Sequence, residues 1–382
     1  MIPPALTFSG ARILLPEGVV QTDLCLSEGR IAGSCTGKRI DLAGYLVLPG
    51  IVDLHGDGFE RHMAPRRGAM KEMADGVVAS EAELAANGIT TAVMAQFWSW
   101  EGGLRGPEFA EGVFRAIRQV RDSLVTDLIP QLRFETHLLD DYDLLPDRLT
   151  EWEVPYVVFN DHLPHERLAE GRKPPRLAGQ ALKAGRSPEK HLELLQRLHA
   201  NGPQVPAALD ALCAELHRRG VRLASHDDHS AEDCAAWQAR GLRISEFPET
   251  AEAAEATRAA GGHVILGSPN VVRGGSHKGN ASAIDLIAMG YCDALASDYH
   301  YPSPRRAALM LARSGLLDLG AAWALVSSGP ARVLGLDDRG ELSPGKRADL
   351  VILDAENHRV AATFAGGRVS YMSGDVAARF LA

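Results

Sequence analysis

From Gly50 to about residue 335 the chain repeats one alternation: a short run rich in Val, Ile and Leu, then an Ala-, Leu- and Glu-rich stretch of helical character. Few folds accommodate that rhythm, because apolar runs separated by helices read as parallel strands whose crossovers cover the faces of the sheet. The predicted strands are Val47–Leu54, Thr90–Phe97, Leu128–Thr136, Tyr156–Asp161, Val221–Ser225, Leu242–Phe247, His263–Ser268 and Ala294–Ser297. Eight of them in one parallel sheet predict a closed barrel.

The two ends have a different texture. Residues 1–48 alternate and turn often, which suggests short antiparallel strands, and short strands return after Leu336 in GELSPGKRADLVILDAENHRVAATFAGGRVSY. The expected fold is α/β: a (β/α)8 TIM-like barrel over 49–336, with a small β-sandwich domain built from both termini, 1–48 and 337–382. The longest connection, roughly His162 to Gly220, is rich in Pro, Lys and Arg in its first half and helical in its second. It reads as a lid or a helical excursion at the barrel mouth.

Forty basic residues against 49 acidic give a net charge of −9, and no Lys/Arg tract occurs, so nucleic acid is not an expected partner. Five scattered cysteines form no CxxC pair and read as reduced thiols. The N-terminus lacks the pattern of a signal peptide, and no stretch is apolar for long enough to span a bilayer. A cytoplasmic homo-oligomer without a membrane partner is expected, and a small anionic substrate stays possible because its recognition needs only a few local Arg or Lys residues.

Ionisable residues follow the strands: His55 and Asp57, Glu135 and His137, Asp161 and His162, His226 with Asp227 and Asp228, and Asp298. The C-terminal strand ends of a β/α barrel converge on one face, so these scattered positions become one cluster. His55 and Asp57, two apart, project to the same side if the strand continues through them, a chelating geometry. Imidazole and carboxylate ligands suit zinc, manganese or iron. Glu135 is a candidate bridge between two ions, or a strand-end salt bridge; His162 and His226 are candidate imidazole ligands, or hydrogen-bond donors to loop backbone. Asp298 is placed to bind a metal and accept a proton from water, or to cap the helix that follows, although Ser303 before Pro304 is the better cap. The loop GDGFERHMAPRRGAM carries Arg61, Arg66 and Arg67, whose forks match phosphate oxygens, and the Gly-rich SPNVVRGGSHKGN carries Arg273, His277 and Lys278.

With VLPGIVDLH opening the barrel, Asp298 closing it and GELSPGKRADLVILD at the end, the chain resembles the amidohydrolase superfamily over essentially its whole length. Within it, DLHGDGFERHMAPRRG, NDH at 160–162, SHDD at 225–228, VVRGGSHKGN at 271–280 and ASDY at 296–299 are similar to the diphosphatase family that acts on alpha-D-ribose 1-methylphosphonate 5-triphosphate in the carbon–phosphorus lyase pathway. The resemblance implies two divalent metals per chain, zinc first and manganese or iron also suitable. It places His55, Asp57, Glu135, His162, His226 and Asp298 as ligands, with Asp298 the catalytic proton acceptor. It further implies hydrolysis to the 5-phosphate and pyrophosphate by a metal-activated hydroxide, with Arg61, Arg66, Arg273, His277 and Lys278 on the substrate. Gly56, Gly58 and Phe59 depart from the larger polar residues frequent in that family, as does HYPSPRR after ASDY. A C–N hydrolase or deaminase, and a non-catalytic barrel paralogue, are the alternatives.

Overall fold

The computed structural model describes residues 4–34, 36–64, 72–274 and 281–382; Arg66, Arg67, His277 and Lys278 lie outside the described residues. Eight strands form one sheet in chain order: β1 (Ile51–Gly56), β2 (Ile89–Trp98), β3 (Asp127–Glu135), β4 (Tyr156–Asn160), β5 (Arg222–His226), β6 (Ile244–Glu246), β7 (His263–Gly267) and β8 (Ala294–Ala296). Parallel registers such as Gln131↔Tyr156 and Ser225↔Ser245 run along it, and a parallel bridge between Gly56 and Asp298 joins the last strand's end to the first. This is a (β/α)8 barrel. Among the described residues no helix is long and apolar enough to cross a membrane.

The predicted strand Val47–Leu54 is in fact two. Tyr45–Pro49 belongs to a terminal sheet and β1 to the barrel, and the chain changes partners at Gly50, whose N–H donates to the Asp349 carbonyl while that of Ile51 donates to Gly88. A side chain at Gly50 would bring a Cβ to 2.4 Å from Thr90 Oγ1. Hydrophobic periodicity runs unbroken through the switch, and only this close approach reveals it.

The chain divides into two compact units, 1–94 with 120–129 and 263–382, and 95–119 with 130–262. In the first, both ends of the sequence build two extra sheets. One has four strands, with Leu6–Ser9 between Leu24–Ser27 and Lys38–Asp41; the other has six, in which Leu350–Asp354 pairs with Tyr45–Pro49. Phe8, Ile13, Val47, Leu350, Ile352 and Phe364 share one core with no exposure. Two of the hairpins close on residues with positive φ, Glu28–Gly29 (52°, 76°) and Gly366–Gly367 (58°, 73°), the two-residue turn that matches strand twist.

In the second unit Trp98, Phe114, Phe134, Trp152, Phe159, Leu216 and Leu223 form the core between strands and outer helices. Its long connection carries four helices, His165–Ala169, Leu177–Lys183, Pro188–Ala200 and Val205–Arg218. Ser187 accepts from the Lys190 N–H and Pro188 begins the third helix. Leu163, Leu168, Leu177, Leu195 and Leu198 bury a single cluster around Trp100.

At the N-terminal ends of β2 and β3, Arg339 donates from Nη1 to Thr91 Oγ1 (2.8 Å) and Asp127 Oδ2 (2.6 Å), while its Nε meets Asp338. Its side chain is 7% exposed and Asp127's 36%. Arg339→Met strands these partners and is expected to cost about 2–3 kcal/mol in urea unfolding, below the loss for a fully buried pair because Asp127 stays partly hydrated. An unchanged denaturation midpoint would remove the stabilising role assigned to this clamp.

Candidate metal centre

In the first unit, His55, fully buried, is the penultimate residue of β1, and Asp57 follows just past the strand. The Asp57 N–H donates to the Asp298 carbonyl (3.0 Å) and the Asp298 N–H to the His55 carbonyl (2.9 Å), so the backbones of these three residues, distant in sequence, are joined. Asp53, also fully buried, accepts from the Ser297 N–H (2.8 Å) and the Ser297 hydroxyl (2.5 Å). Burial pushes the Asp53 carboxyl up to about 7, against those hydrogen bonds. Gly56 faces this lock: a Cβ there would stand 2.8 Å from Asp53 Oδ2 and 3.0 Å from Ser297 Oγ, which accounts for the small residue after His55.

Asp298 has φ +55°, a left-handed conformation that Asp tolerates better than most residues. It does not cap the next helix, which begins at Ser303. Ser303 is not a cap either: its hydroxyl is buried, donating to the His300 carbonyl (2.5 Å) and lying 2.7 Å from Ser268 Oγ. Pro302 holds the cap position instead.

Tyr299 gathers two of the arginines singled out in the sequence. Arg61 Nη1 approaches the Tyr299 carbonyl (3.4 Å), and Arg273 Nη1 donates to the Tyr299 hydroxyl (2.6 Å). Arg61 also pairs with Glu83 and lies over the Tyr301 ring, while Arg273 Nη2 donates to Asn270 Oδ1 (2.6 Å).

In the second unit Glu135 is a fully buried carboxylate at the end of β3. Its Oε1 meets His162 Nδ1 at 2.5 Å, and its Oε2 accepts from the His162 N–H (3.1 Å) and Trp100 Nε1 (3.3 Å). His162, His226 and Asp227 bring one donor atom each within 4.8 Å of one another. Burial opposes charge on His162, yet hydrogen bonds to Asp227 and Glu135 hold its pKa up to about 9. Asp227 is held far below the carboxylate range: burial alone would raise it, but the charge of His226 and the hydrogen bond from His162 prevail. Asp227 has φ +59° and Phe247 φ +57°, so left-handed residues recur just past the strand ends.

Arg133 enters this cluster. Its Nη2 donates to His226 Nε2 (2.8 Å), and its guanidinium lies 3.9 Å over the Phe97 ring. The other ring nitrogen of His226, Nδ1, lies 3.2 Å from Asp227 Oδ1. Ligation through Nε2 requires Arg133 to release that bond. Glu246, fully buried at the end of β6, accepts from Gln131 Nε2 (3.0 Å) and Tyr156 Oη (2.5 Å).

The structure thus brings His55, Asp57 and Asp298 together in one unit, and Glu135, His162 and His226 in the other. The imidazole nitrogens of His162 and His226 and the carboxylate of Asp227, within 4.8 Å of one another, suit a divalent cation. Sequence reading missed Asp53, Arg133 and Glu246, and it noted Asp227 without making it a ligand. The signal available for each was a charged residue inside an apolar strand or at its end, where burial demands a partner.

A profile of the amidohydrolase family matches residues 59–371. The alpha-D-ribose 1-methylphosphonate 5-triphosphate diphosphatase of Escherichia coli is 32% identical over 366 residues, covering 92% of this chain and 96% of that protein. An adenine deaminase of Sinorhizobium fredii is 26% identical over 394 residues, covering 96% of this chain but only 58% of its own length. The N-acetylglucosamine-6-phosphate deacetylase of Pasteurella multocida superposes with a TM-score of 0.62 over 96% of this chain and 99% of that one, at 11% identity, a likeness of fold alone. A family match running from residue 59 to 371, on a barrel whose strands end in histidines and carboxylates, makes this chain a member of the amidohydrolase family.

Proposed function

We propose that this protein hydrolyses a phosphoanhydride, taking alpha-D-ribose 1-methylphosphonate 5-triphosphate and water to the 5-phosphate and pyrophosphate. The observation that carries the reading is the meeting of Arg61 and Arg273 on Tyr299, one residue beyond Asp298. Two guanidinium forks beside a candidate proton acceptor suit a polyphosphate better than a neutral amide. The 32% identity to the Escherichia coli diphosphatase, end to end, supports the same substrate class.

In this reading His55, Asp57, Glu135, His162, His226 and Asp298 hold a pair of divalent ions, zinc for preference. Such a pair, when bound, supplies Lewis-acid activation of water and neutralises phosphate charge. Asp298 accepts the proton of the attacking water as the phosphorus nearest the ribose is attacked. Arg61 and Arg273 receive the departing pyrophosphate, Arg61 exchanging its bond to Glu83 for phosphate oxygen, with Arg66 and Lys278 adding positive charge and His277 a further substrate contact. The likeness to adenine deaminases favours a second reading, hydrolysis of a C–N bond on the same scaffold.

Metal content by elemental analysis, with pyrophosphate release followed on the ribose triphosphate, tests both readings. Asp298→Asn is expected to lower turnover by about 10²–10⁴, the range for loss of a general base. Arg273→Ala is expected to raise KM for the triphosphate, by about tenfold for one lost charge-assisted contact. Bound metal with no pyrophosphate release, and adenine deaminated instead, would establish the second reading.

The protonation of His162 gives a further check. Without metal it keeps its proton to about pH 9, and an imidazolium offers no lone pair, so metal uptake at neutral pH must expel that proton. Metal affinity should therefore fall as pH drops below 9, by up to about tenfold per unit. Calorimetric titration in two buffers of different ionisation enthalpy should show proton release, reduced in His162→Asn. Equal heats in both buffers would count against His162 as a ligand.

A further inference from the structure

Beyond the strand-end ligands, the second unit holds another group of metal-binding side chains: His137, two residues past β3; Asp161, directly after β4; and His165, which opens the helix His165–Ala169. One donor atom from each lies within 4.8 Å of the other two. Both Asp161 oxygens face His165 Nε2 (3.1 and 3.0 Å), and Oδ1 also faces His137 Nδ1 at 3.5 Å. A tetrahedral ion with bonds of about 2.0–2.1 Å sets its ligands roughly 3.4 Å apart, so these spacings need little adjustment.

We propose that His137, Asp161 and His165 form a second divalent-cation site of the zinc type, sharing no ligand with the strand-end centre. The neighbouring residue shows the separation: His162 turns its Nδ1 to Glu135, whereas Asp161 turns its carboxylate to His165. The rest of the surroundings agree. His165 Nδ1 lies 2.8 Å from Nδ1 of His199, in the last turn of helix Pro188–Ala200. When Nε2 of His165 gives its lone pair to a cation, its proton sits on Nδ1 and is donated to His199, the outer hydrogen bond that orients a ligating imidazole.

Thr136 Oγ1 flanks the His137 nitrogen at 3.3 Å, and the Leu163 N–H donates to Asp161 Oδ1 (3.2 Å), which fixes the carboxylate. His137 is 8% exposed, Asp161 39% and His165 37%, so the site opens to solvent on one side and water completes the coordination. The cation ties the helices of the 163–200 segment to the ends of β3 and β4. Its role is to fasten that segment, with no part in bond cleavage.

Zinc is the probe. Chelator-stripped protein, reloaded and dialysed, should hold one equivalent more in the wild type than in His165→Gln or His137→Gln, by elemental analysis. Zinc should raise the thermal midpoint of the wild type by more than that of either variant. Asp298→Asn serves as the control, since it perturbs the other centre and should leave this equivalent in place. If either Gln variant fails to fold, His199→Ala decides: it removes only the outer bond and should weaken zinc at this equivalent by about 10–100-fold in chelator competition. Identical stoichiometry in wild type and Gln variants, or an unchanged zinc affinity in His199→Ala, would overturn the proposal and leave Asp161 with two ordinary ion pairs.

Discussion

Asp53 sits where the last barrel strand meets the first, with no exposure and two hydrogen bonds from Ser297. A buried carboxyl is costly unless its lone pairs are satisfied, so this pairing leaves little freedom in how β8 lies against β1. The backbone bonds that follow, Asp298 to His55 and Asp57 to Asp298, inherit that register. Gly56 completes it, because no side chain fits between Asp53 and Ser297. The placement of three candidate ligands therefore depends on a polar contact between two residues outside the candidate ligand set.

The strand ends are also where the backbone departs from its preferred conformations. Asp227, Phe247 and Asp298 all have positive φ, which costs a non-glycine residue about 1–2 kcal/mol and persists only where surrounding structure enforces it. For Asp227 and Asp298 this conformation re-aims a carboxylate at the point where a strand stops. The cationic side is arranged with equal care: Arg133 is held by His226 and the Phe97 ring, and Arg273 by Tyr299 and Asn270. Fixed guanidinium groups pay little ordering entropy when an anion arrives.

Much of this was legible before any coordinates. The alternation after Gly50 revealed eight strands and a barrel, and the His and Asp residues behind those strands marked where chemistry gathers, because both signals are local. The long connection is half legible: its second half reads as helical and holds the helices Pro188–Ala200 and Val205–Arg218, while the Pro- and Arg-rich start conceals two short helices fastened by Leu163, Leu168 and Leu177. Ser303 was misread because its neighbourhood in sequence looks like a cap, while Ser268, brought in by the fold, holds its hydroxyl elsewhere.

Sequence by itself determined the periodicity, the class of sheet and the chemical types at the strand ends, since each depends on residues a few positions apart. Tertiary structure alone decided that the strand through Gly50 changes sheets, that Asp53 locks β8 to β1, that Arg133 occupies the imidazole of His226, and that Tyr299 unites Arg61 with Arg273. The physical reason is common to all four. Each is a contact between residues far apart in the chain, set by close approach and by the need to satisfy a buried polar group, and neither leaves a periodic trace in the sequence.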